Sequence, residues 1–430
     1  MTRGSVAGAT IFALSSGRPP AAIAVIRVSG TEAHVAASSL STNLPEARTA
    51  AVRILLDPDN GEHLDEALVL KFDGPESATG EDLVEFHCHG GRAVVDAVLS
   101  VLGRIEGMRL AKPGEFTRRA FENGRIDLTE AEGLADLLEA ETESQRQSAL
   151  RMAEGGLRCQ IEAWSERVLT LSAQAEQAID YAEEGTDDVE DAIAAAASEL
   201  AVELADWLGR PRIEPLRDGV RVVAAGPPNV GKSSLINAIA GEDRIIVSAV
   251  AGTTRDVIEV PLALGGIPFV FADTAGLRDS TDAVETIGVE RATAEIERTD
   301  ILLWLGPPGQ APRHERTILV HSKCDVAGQV PADYLAVSAV SGEGLPALLT
   351  KIGQLGRTLI PVEGALALNR RQAAAIDEAR LALVEAGTQR DPAIQAEAIR
   401  AARAAFDRCT GRAGIEDVLD RLFSRFCLGK

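Results

Sequence analysis

The chain has few of the features that mark membrane or secreted proteins. Over its 430 residues no apolar run approaches the roughly 18 residues that a membrane span needs. The opening stretch, MTRGSVAGATIFALSSG, lacks the charged and then apolar pattern of a signal peptide. With 46% apolar residues the chain can still bury several cores. We therefore predict a globular, cytoplasmic protein of roughly three domains.

Cysteine is scarce and scattered. The five cysteines, at positions 88, 159, 324, 409 and 427, are odd in number and form no C-x-x-C pair, so neither disulfides nor structural zinc is expected. The one local cluster of soft ligands is His87-Cys88-His89. Because alternate residues of a strand point to opposite faces, Cys88 cannot readily join its neighbours, and we interpret the segment as a strand end.

Positive charge is also in short supply, since 43 Lys and Arg face 65 Asp and Glu and leave a formal net charge of −22. Broad nonspecific binding to nucleic acid needs clustered Lys and Arg, so this balance argues against it. Any RNA contact is expected to be local, and a partner protein could supply most phosphate contacts. The basic candidates, each more simply explained as a solvated surface residue, are Arg118, Arg119, Arg125, Arg370 and Arg371.

What the chain does contain is a complete phosphate-binding loop. Residues 226–233 read GPPNVGKS, a G-x-x-x-x-G-K-S pattern between the apolar run 220–225 and the helix-like stretch 234–240. Its glycines let backbone N–H groups surround phosphate oxygens, Lys232 can reach the β and γ phosphates, and the Ser233 hydroxyl can ligate magnesium. We therefore predict that the ligand is a nucleoside triphosphate.

Further motifs follow in the order typical of a GTPase. They are Gly252-Thr253-Thr254-Arg255-Asp256, a hairpin-like pair at 257–264 and 267–272, Asp273-Thr274-Ala275-Gly276, Ser322-Lys323-Cys324-Asp325 and Ser338-Ala339. Thr254 is placed to offer magnesium a second hydroxyl, and Asp273 can hold the ion through water. Asp325 would accept hydrogen bonds from guanine N1 and the exocyclic amine. The backbone at Ser338-Ala339 could meet the guanine oxygen.

Two positions depart from the usual GTPase pattern. Ser322 stands where Asn is usual, and a hydroxyl cannot reproduce two-ended amide hydrogen bonding. Guanine affinity is therefore expected to be weaker, and ATP stays a minor alternative. Leu277 stands where Ras-type enzymes have the glutamine that orients the attacking water. Hydrolysis must recruit another group, for which Glu285 in the acidic stretch 279–290 is a candidate, although it could equally be a solvated helix carboxylate.

These motifs make the chain similar to the MnmE (TrmE) family of tRNA-modification GTPases over nearly all of its length. The resemblance is carried by PGEFTRRAFENGRIDLTEAEGLADLL at 113–138, HGG at 89–91, GTTRD, DTAG and the terminal Phe426-Cys427-Leu428-Gly429-Lys430. The family implies a homodimer and a GTPase that uses potassium in place of an arginine finger. A monovalent cation beside the β and γ phosphates stabilises charge that develops in the transition state.

The resemblance assigns roles to individual positions. It implies that Asn229, Ser248, Val250 and Thr253 bind potassium and that Ser233 and Thr254 bind magnesium. It also implies that Glu285 orients the attacking water and that Arg278 is a catalytic switch residue. The full set expected at the nucleotide and its ions is Asn229, Val230, Gly231, Lys232, Ser233, Ser234, Ser248, Ala249, Val250, Ala251, Gly252, Thr253, Thr254, Asp273, Thr274, Ala275, Gly276, Lys323, Asp325, Ser338 and Ala339.

The resemblance also implies a ligand for the N-terminal third, 5,10-methylene-tetrahydrofolate, of which 5-formyl-tetrahydrofolate is an analogue. The matching positions are Arg27, Glu85, Arg125, where Lys is usual, and Lys430 in the terminal CLGK. A carboxylate that accepts from the pterin amine and ring N–H, with basic groups near the glutamate tail, suits this ligand. Cys427 could be a catalytic thiolate, but a lone cysteine at an apolar helix end is more often packed.

The pattern of the whole chain predicts a multidomain fold with α/β and all-α parts. Residues 1–120 alternate β-rich runs, such as 22–28 and 67–72, with helices, which suits an α+β folate-binding and dimerisation domain. Residues 121–215 and 361–430 show apolar residues at helical spacing and are expected to form one helical domain that ends in the CLGK tail. A Ras-like P-loop G domain at 216–360 is inserted between them, with prolines at the junctions.

From the resemblance we expect a homodimeric, potassium-activated GTPase that acts on tRNA in a heterotetramer with the FAD-dependent partner MnmG. Together they would add an aminomethyl or carboxymethylaminomethyl group to carbon 5 of the wobble uridine. The folate would supply the one-carbon unit, glycine or ammonium the nitrogen, and the flavin the redox step. Two alternatives stay open: a ribosome-assembly GTPase without covalent chemistry, and a folate-dependent aminomethyl carrier in which GTP is only regulatory.

Overall fold

Two sheets organise the chain, one in each of two units. The computed structural model describes residues 8–41, 43–180, 187–241, 259–273, 298–326, 330–413, 416–426 and 429. The first unit comprises Met1–Ala135, Leu157–Ile161 and Asp407–Lys430, and the second comprises Asp136–Gly156 and Glu162–Phe406. Among the described residues, no helix combines the length and the apolar character needed to cross a membrane.

The first unit is built on a mixed six-stranded sheet. Its strands are β1 (Thr10–Leu14), β2 (Ile23–Ser29), β3 (Ala51–Leu56), β4 (His63–Phe72), β5 (Leu83–His89) and β6 (Met108–Leu110), in the spatial order β3-β4-β5-β2-β1-β6. Neighbouring strands are antiparallel except β1 and β6. The predicted run 67–72 is confirmed as part of β4, and the run 22–28 is confirmed as β2 except for its first residue.

The two faces of this sheet differ. The helices α1 (Ala33–Leu40) and α2 (Arg92–Arg104) pack with Ile26 of β2 and Phe86 of β5, and the result is a fully buried core. Since strand residues alternate between faces, Arg27 and Glu85 point to the other side. There α3 (Glu115–Glu122) covers the β1 end of the sheet with Phe116.

The segments with apolar residues at helical spacing are helical, as predicted. They form α4 (Leu128–Glu139), α5 (Glu143–Ala153), α6 (Gly156–Asp180) and α7 (Asp187–Gly209), and after the second sheet α11 (Arg370–Thr388), α12 (Pro392–Thr410) and α13 (Glu416–Phe423). In the second unit Trp164 of α6 is buried, with ring-centroid distances of 5.3 Å to Trp207 and 5.9 Å to Phe406. These aromatic contacts form the centre of the helical core.

The second unit holds a sheet of parallel strands with one antiparallel edge. Its strands are β7 (Val220–Ala225), β8 (Glu259–Leu264), β9 (Ile267–Asp273), β10 (Ile301–Trp304), β11 (Thr317–Ser322) and β12 (Leu335–Val337), in the order β12-β11-β10-β7-β9-β8. Only β8 runs antiparallel to its neighbour. The helices α8 (Glu214–Arg217), α9 (Lys232–Gly241) and α10 (Leu345–Leu359) contribute to its core. The predicted fold class, an α+β part and a helical part with an inserted P-loop G domain, is confirmed.

The topology of this second sheet gathers the predicted motifs. Parallel strands place their carboxyl ends at one edge, where open α/β sheets bind ligands. The strand β7 leads there into GPPNVGKS, β9 ends at Asp273, and β11 ends at Ser322. Because the strands are buried, their apolar residues fix the register, and the polar residues that follow them are brought to the edge.

Candidate functional site

The predicted phosphate-binding loop joins β7 to α9. Gly226 and Gly231 have φ values of 149° and 97°, which favour glycine over other residues. A Cβ on Gly226 would lie 3.0 Å from the Leu305 carbonyl carbon, so the position is also tight. The loop ends at Lys232, the first residue of α9. Backbone N–H groups at the start of a ten-residue helix therefore face the loop, an arrangement suited to binding phosphate.

Two side chains of the loop place charge and ion ligands at its centre. The Lys232 ammonium donates to the carbonyls of Gly226 at 3.0 Å and Pro227 at 2.9 Å, and the residue is only 7% exposed. The Ser233 hydroxyl donates to a carboxylate oxygen of Asp273. Hydroxyl and carboxylate oxygens are the ligands that magnesium prefers. The donor set therefore fits the predicted ion.

The segment predicted to read guanine is tied to the loop backbone. The Ser322 hydroxyl donates to the Val230 carbonyl, and the Lys323 ammonium donates to the Asn229 carbonyl at 2.9 Å. Asn229 and Lys323 both take left-handed backbone conformations, with φ of 62° and 61°. Ser322 thus holds the loop, but its one donor is already used there. Asp325, the predicted base acceptor, is exposed at the same edge.

The Ser338-Ala339 pair needs one correction. The Ser338 backbone N–H donates to the Glu343 carbonyl at 2.9 Å, and the side chain accepts from Val340 N–H at 3.2 Å. Because the residue is fully buried and its backbone donor is committed, it cannot meet a guanine oxygen through that group. That contact would have to come from Ala339, the other half of the predicted pair.

The remaining predicted nucleotide and ion positions lie outside the described residues, so their roles stay predictions. They are Ser248, Ala249, Val250, Ala251, Gly252, Thr253, Thr254, Thr274, Ala275, Gly276, Arg278 and Glu285. Cys427 and Lys430 also lie outside the described residues. Of the four predicted potassium ligands, the structure describes Asn229, which is exposed on the loop.

In the first unit, the structure pairs two of the predicted folate residues. Arg27 and Glu85 are register partners on β2 and β5, and the Arg27 Nε and Nη2 atoms lie 2.9 and 2.7 Å from Glu85 Oε1. The guanidinium also stacks over Phe116 at 5.6 Å from the ring centroid. The second carboxylate oxygen, Oε2, lies 3.4 Å from His87 Nε2. A part-buried carboxylate beside a basic group fits recognition of a pterin.

Arg125 is not part of that ion pair. It is exposed in the turn after α3, where its backbone N–H donates to the Ala120 carbonyl at 2.8 Å. The structure therefore brings Arg27 and Glu85 into contact, whereas Arg125 is exposed and lies outside this ion pair.

The segment His87-Cys88-His89 forms the end of β5, as predicted. Cys88 lies in the core, and burial raises the pKa of its thiol to about 12, so it is unreactive. His89 lies 73% exposed, and its Nδ1 is 2.7 Å from Oδ1 of the buried Asp65. Sequence reasoning missed Asp65. The available signal was an aspartate in the segment 64–70, whose other residues are apolar except Glu66.

Two of the basic candidates for RNA contact, Arg118 and Arg119, are engaged in ion pairs. Arg119 is 7% exposed and donates to Glu81 at 2.9 Å and to Glu115 at 3.3 Å, so its interpretation as a solvated surface residue is wrong. Arg118 remains partly exposed and pairs with Glu122 and Asp420, both at 2.9 Å. The burial of Arg119 follows from α3, which turns this side of the helix toward the sheet.

Comparisons with known proteins cover almost the whole chain. Residues 10–125 match the family described as GTP-binding protein TrmE N-terminus, and residues 128–427 match the MnmE helical domain. The chain is 54% identical over 423 residues to the tRNA modification GTPase MnmE of Erythrobacter litoralis strain HTCC2594, covering 98% of this chain and 100% of the relative. It is 51% identical over 432 residues to that of Zymomonas mobilis subsp. mobilis, covering 98% and 100%. A G domain of the T. maritima FeoB iron transporter is similar at 23% identity and a TM-score of 0.24, over 32% of this chain and 98% of that one.

Proposed function

This chain belongs to the MnmE family of tRNA modification GTPases, and from that premise we propose that it hydrolyses GTP to support modification of the tRNA wobble uridine. It is accordingly a GTP hydrolase that acts in tRNA modification. The observation that carries the nucleotide half of this proposal is the loop at 226–233. Its lysine is buried at the helix start, its serine contacts Asp273, and its backbone is bonded to the segment that would read the base.

The residues of the loop would act by positioning and by charge. Lys232 would turn from the Gly226 and Pro227 carbonyls to the phosphates, and the N–H groups at the start of α9 would donate to phosphate oxygens. Ser233 and Asp273, already in contact, would hold magnesium, with Thr254 as the second hydroxyl. Bound magnesium supplies positive charge against the negative charge that develops on the phosphates.

Potassium activation is the second part of the proposal. Asn229 would provide one ligand from its exposed position on the loop, and Ser248, Val250 and Thr253 would provide the others. The hydrogen bond from Lys323 to the Asn229 carbonyl supports a potassium-binding role for Asn229, because it holds the loop backbone at that residue. Glu285 would orient the attacking water, since Leu277 cannot do so, and Arg278 would organise the same switch segment.

The first unit would bind the tetrahydrofolate one-carbon carrier. Glu85 would accept from the pterin amine and ring N–H through Oε2, which Arg27 leaves open, and Arg125 and Lys430 would contact the anionic tail. The carrier supplies the one-carbon unit when bound. The fit of the Arg27–Glu85 pair to such a ligand is what supports this assignment.

The same sheet face would form the homodimer. Ile23 of β2 is 58% exposed, and Val52 and Ile54 of β3 are 55% and 53% exposed. The β3-β4-β5-β2 register puts these side chains on the face that carries Arg27 and Glu85. Exposed apolar side chains grouped on one face are typical of protein interfaces. Dimerisation and folate binding would thus share one surface.

The proposal extends to partners and to domain bounds. Because 65 acidic residues outnumber 43 basic ones, the chain would rely on the FAD-dependent partner MnmG for most tRNA contacts, in a heterotetramer that adds the aminomethyl or carboxymethylaminomethyl group. We place the folate-binding domain at 1–120, the helical domain at 121–215 and 361–430, and the G domain at 216–360.

One experiment tests the coupling of hydrolysis to modification. The Glu285→Ala variant should bind GTP as the unaltered protein does but lose hydrolysis, and wobble uridine modification with the partner should be lost with it. GTP binding is measured by fluorescence titration, phosphate release by colorimetry and modified uridine by mass spectrometry of digested tRNA. Glu290→Ala, in the same acidic stretch, is the matched control. Normal modification by a variant that cannot hydrolyse GTP would overturn the proposed coupling.

A further inference from the structure

A buried carboxylate fixes the position of an exposed histidine in the first unit. Asp65 Oδ1 lies 2.7 Å from His89 Nδ1, and Asp65 Oδ2 accepts the His89 backbone N–H at 2.8 Å. Only 8% of the Asp65 side chain is exposed, against 73% of the His89 side chain. Within the part of the chain that the structure describes, His89 Nε2 has no bonding partner. The carboxylate therefore fixes one ring nitrogen and leaves the other for a ligand.

The glycine that follows His89 holds the turn in place. A Cβ on Gly90 would lie 2.2 Å from the Ala21 carbonyl oxygen, so this close approach requires glycine. The Gly90 carbonyl accepts from Ala21 N–H at 3.0 Å, and Gly90 N–H donates to the Ala22 carbonyl at 3.3 Å. The turn is thus bonded on both sides, and the imidazole is attached to a backbone that cannot easily shift.

His89 lies on the same face of β5 as Glu85, the proposed pterin contact. On β5 the residues Glu85, His87 and His89 share one face, and neighbours on one face of a strand are about 7 Å apart. Gly429 lies against the last residue of β1, since a Cβ on Gly429 would be 2.1 Å from the Leu14 carbonyl oxygen. Ser15, the next residue after Leu14, donates to the Val25 carbonyl at 2.7 Å, and Val25 is the register partner of His87.

These positions indicate the direction in which a bound folate would extend over the sheet. Glu85 would bind the pterin, and Gly429 precedes Lys430, the proposed contact of the opposite end of the folate. Gly429 lies against Leu14 and Ser15 at the end of β1, two strands from β5, and along the strands it is level with Phe86 and His87. A ligand that extends from Glu85 toward this segment would cross β2 and shift along the strands in the direction of His89. His89 therefore lies on the ligand side of the sheet, at the end toward which the ligand is shifted.

We propose that His89 is the proton-transfer residue for the amine that takes up the one-carbon unit, and that Asp65 is its positioning residue. This inference rests on the proposed function. An amine such as glycine or ammonia is protonated at neutral pH and must lose a proton before its nitrogen can attack carbon. The proton passes from the ammonium nitrogen to His89 Nε2, and the freed electron pair stays on the nitrogen. Asp65 holds Nδ1 protonated and stabilises the imidazolium that forms.

The electrostatics agree with this role. The hydrogen bond to Asp65 and its charge raise the pKa of His89, burial opposes them, and Glu66 of β4 adds a smaller effect. Arg92, the cation that follows His89-Gly90-Gly91 in the sequence, donates to the Pro19 carbonyl at 3.5 Å. A raised pKa makes the neutral ring a stronger base. Activity that needs this base should fall as the pH drops through the pKa of His89.

The test starts with a readout that does not depend on catalysis. In NMR titrations of the full-length protein labelled at histidine nitrogen, His89 should titrate above the ordinary value of 6.5 with the proton on Nδ1 in its neutral form. Asp65→Asn should return the pKa toward 6.5. A His89 signal that titrates identically in both proteins would remove the positioning role of Asp65.

Activity then separates proton transfer from binding. The His89→Gln variant should bind 5-formyl-tetrahydrofolate within about twofold of the unaltered protein, while tRNA modification with the partner falls about 10²- to 10⁴-fold, the usual contribution of a positioned acid or base. Added imidazole should restore part of the rate in His89→Ala. His63→Gln, an exposed histidine at the start of β4, is the matched control and should modify tRNA normally.

Each outcome has one meaning. If the unaltered protein binds neither methylene-tetrahydrofolate nor its 5-formyl analogue, the proposed function fails, and this inference fails with it. If the unaltered protein binds folate and modifies tRNA, and His89→Gln does so at the same rate, only the inference about His89 is overturned. Loss of folate binding in His89→Gln, or no rescue by imidazole, would also overturn it in favour of a binding or structural role.

Discussion

We predict that the bond between Ser322 and the phosphate-binding loop contributes measurably to nucleotide affinity. In the structure the Ser322 hydroxyl donates to the Val230 carbonyl and so joins the end of β11 to the loop after β7. We expect Ser322→Ala to release this link without removing any group that touches the nucleotide directly. The loop would then be less well ordered before GTP binds, and affinity would fall.

The magnitude follows from the strength of one such bond. A neutral hydrogen bond contributes about 0.5–1.5 kcal/mol net, which corresponds to about a twofold to tenfold weaker dissociation constant. Ser322→Asn should act in the opposite direction, because an amide can donate to Val230 and retain a second donor and an acceptor for the base. We expect its affinity for GTP to exceed that of the unaltered protein by a similar factor.

The assay is a fluorescence titration with labelled guanine and adenine nucleotides at fixed magnesium and potassium. Ser198→Ala provides the matched control, since its hydroxyl also donates to a backbone carbonyl, that of Ala194 at 2.8 Å, but lies on helix α7. Its GTP affinity should be unchanged. Equal affinity in Ser322→Ala and the unaltered protein, or weaker binding by Ser322→Asn, would refute this account of how the loop is held.

Three further predictions address the other parts of the chain. Glu85→Gln should abolish most binding of 5-formyl-tetrahydrofolate in calorimetry without changing GTP hydrolysis, and intact folate binding would contradict the site. Trp164→Ala should cost about 3–5 kcal/mol of unfolding free energy in urea titrations, because the side chain is buried against Trp207; a loss below about 1 kcal/mol would contradict this packing. Burial alone would raise the pKa of Glu115, but its bond with Arg109 and the Lys112 backbone N–H lower it from 4.5 to about 2. Its stabilising effect should therefore be complete above pH 4.5 and lost as the pH falls toward 2, so Glu115→Gln should flatten the dependence of unfolding free energy on pH in that window.

Much of the fold and of the nucleotide site could be predicted because the signals are local. The loop GPPNVGKS, the strand before it and the helix after it are contiguous, and the motifs that start at Asp273, Ser322 and Ser338 each lie at the end of a short apolar run that forms a strand. Parallel pairing then brings the motifs together without further information. The hairpin predicted across Gly265-Gly266 appears as β8 and β9 for the same reason.

What could not be predicted depends on contacts between distant parts of the chain. The bond of Asp65 to His89 joins two strands, and nothing in either segment alone names the partner. The Ser322 bond to Val230 likewise spans two loops, so the residue was expected only to weaken binding. The prediction that Arg119 is a solvated surface residue rested on its residue type. The structure places it on the buried face of α3, where it pairs with Glu81 and Glu115.

The central claim is that this chain is a GTPase whose loop uses potassium, and it is tested most directly by measuring GTP hydrolysis in matched potassium and sodium buffers. We predict rapid turnover in potassium, slow turnover in sodium, and loss of the difference in Asn229→Ala. The control is Asn60→Ala in the turn before β4, which should keep the full potassium effect. Equal rates in the two cations for the unaltered protein would contradict the account.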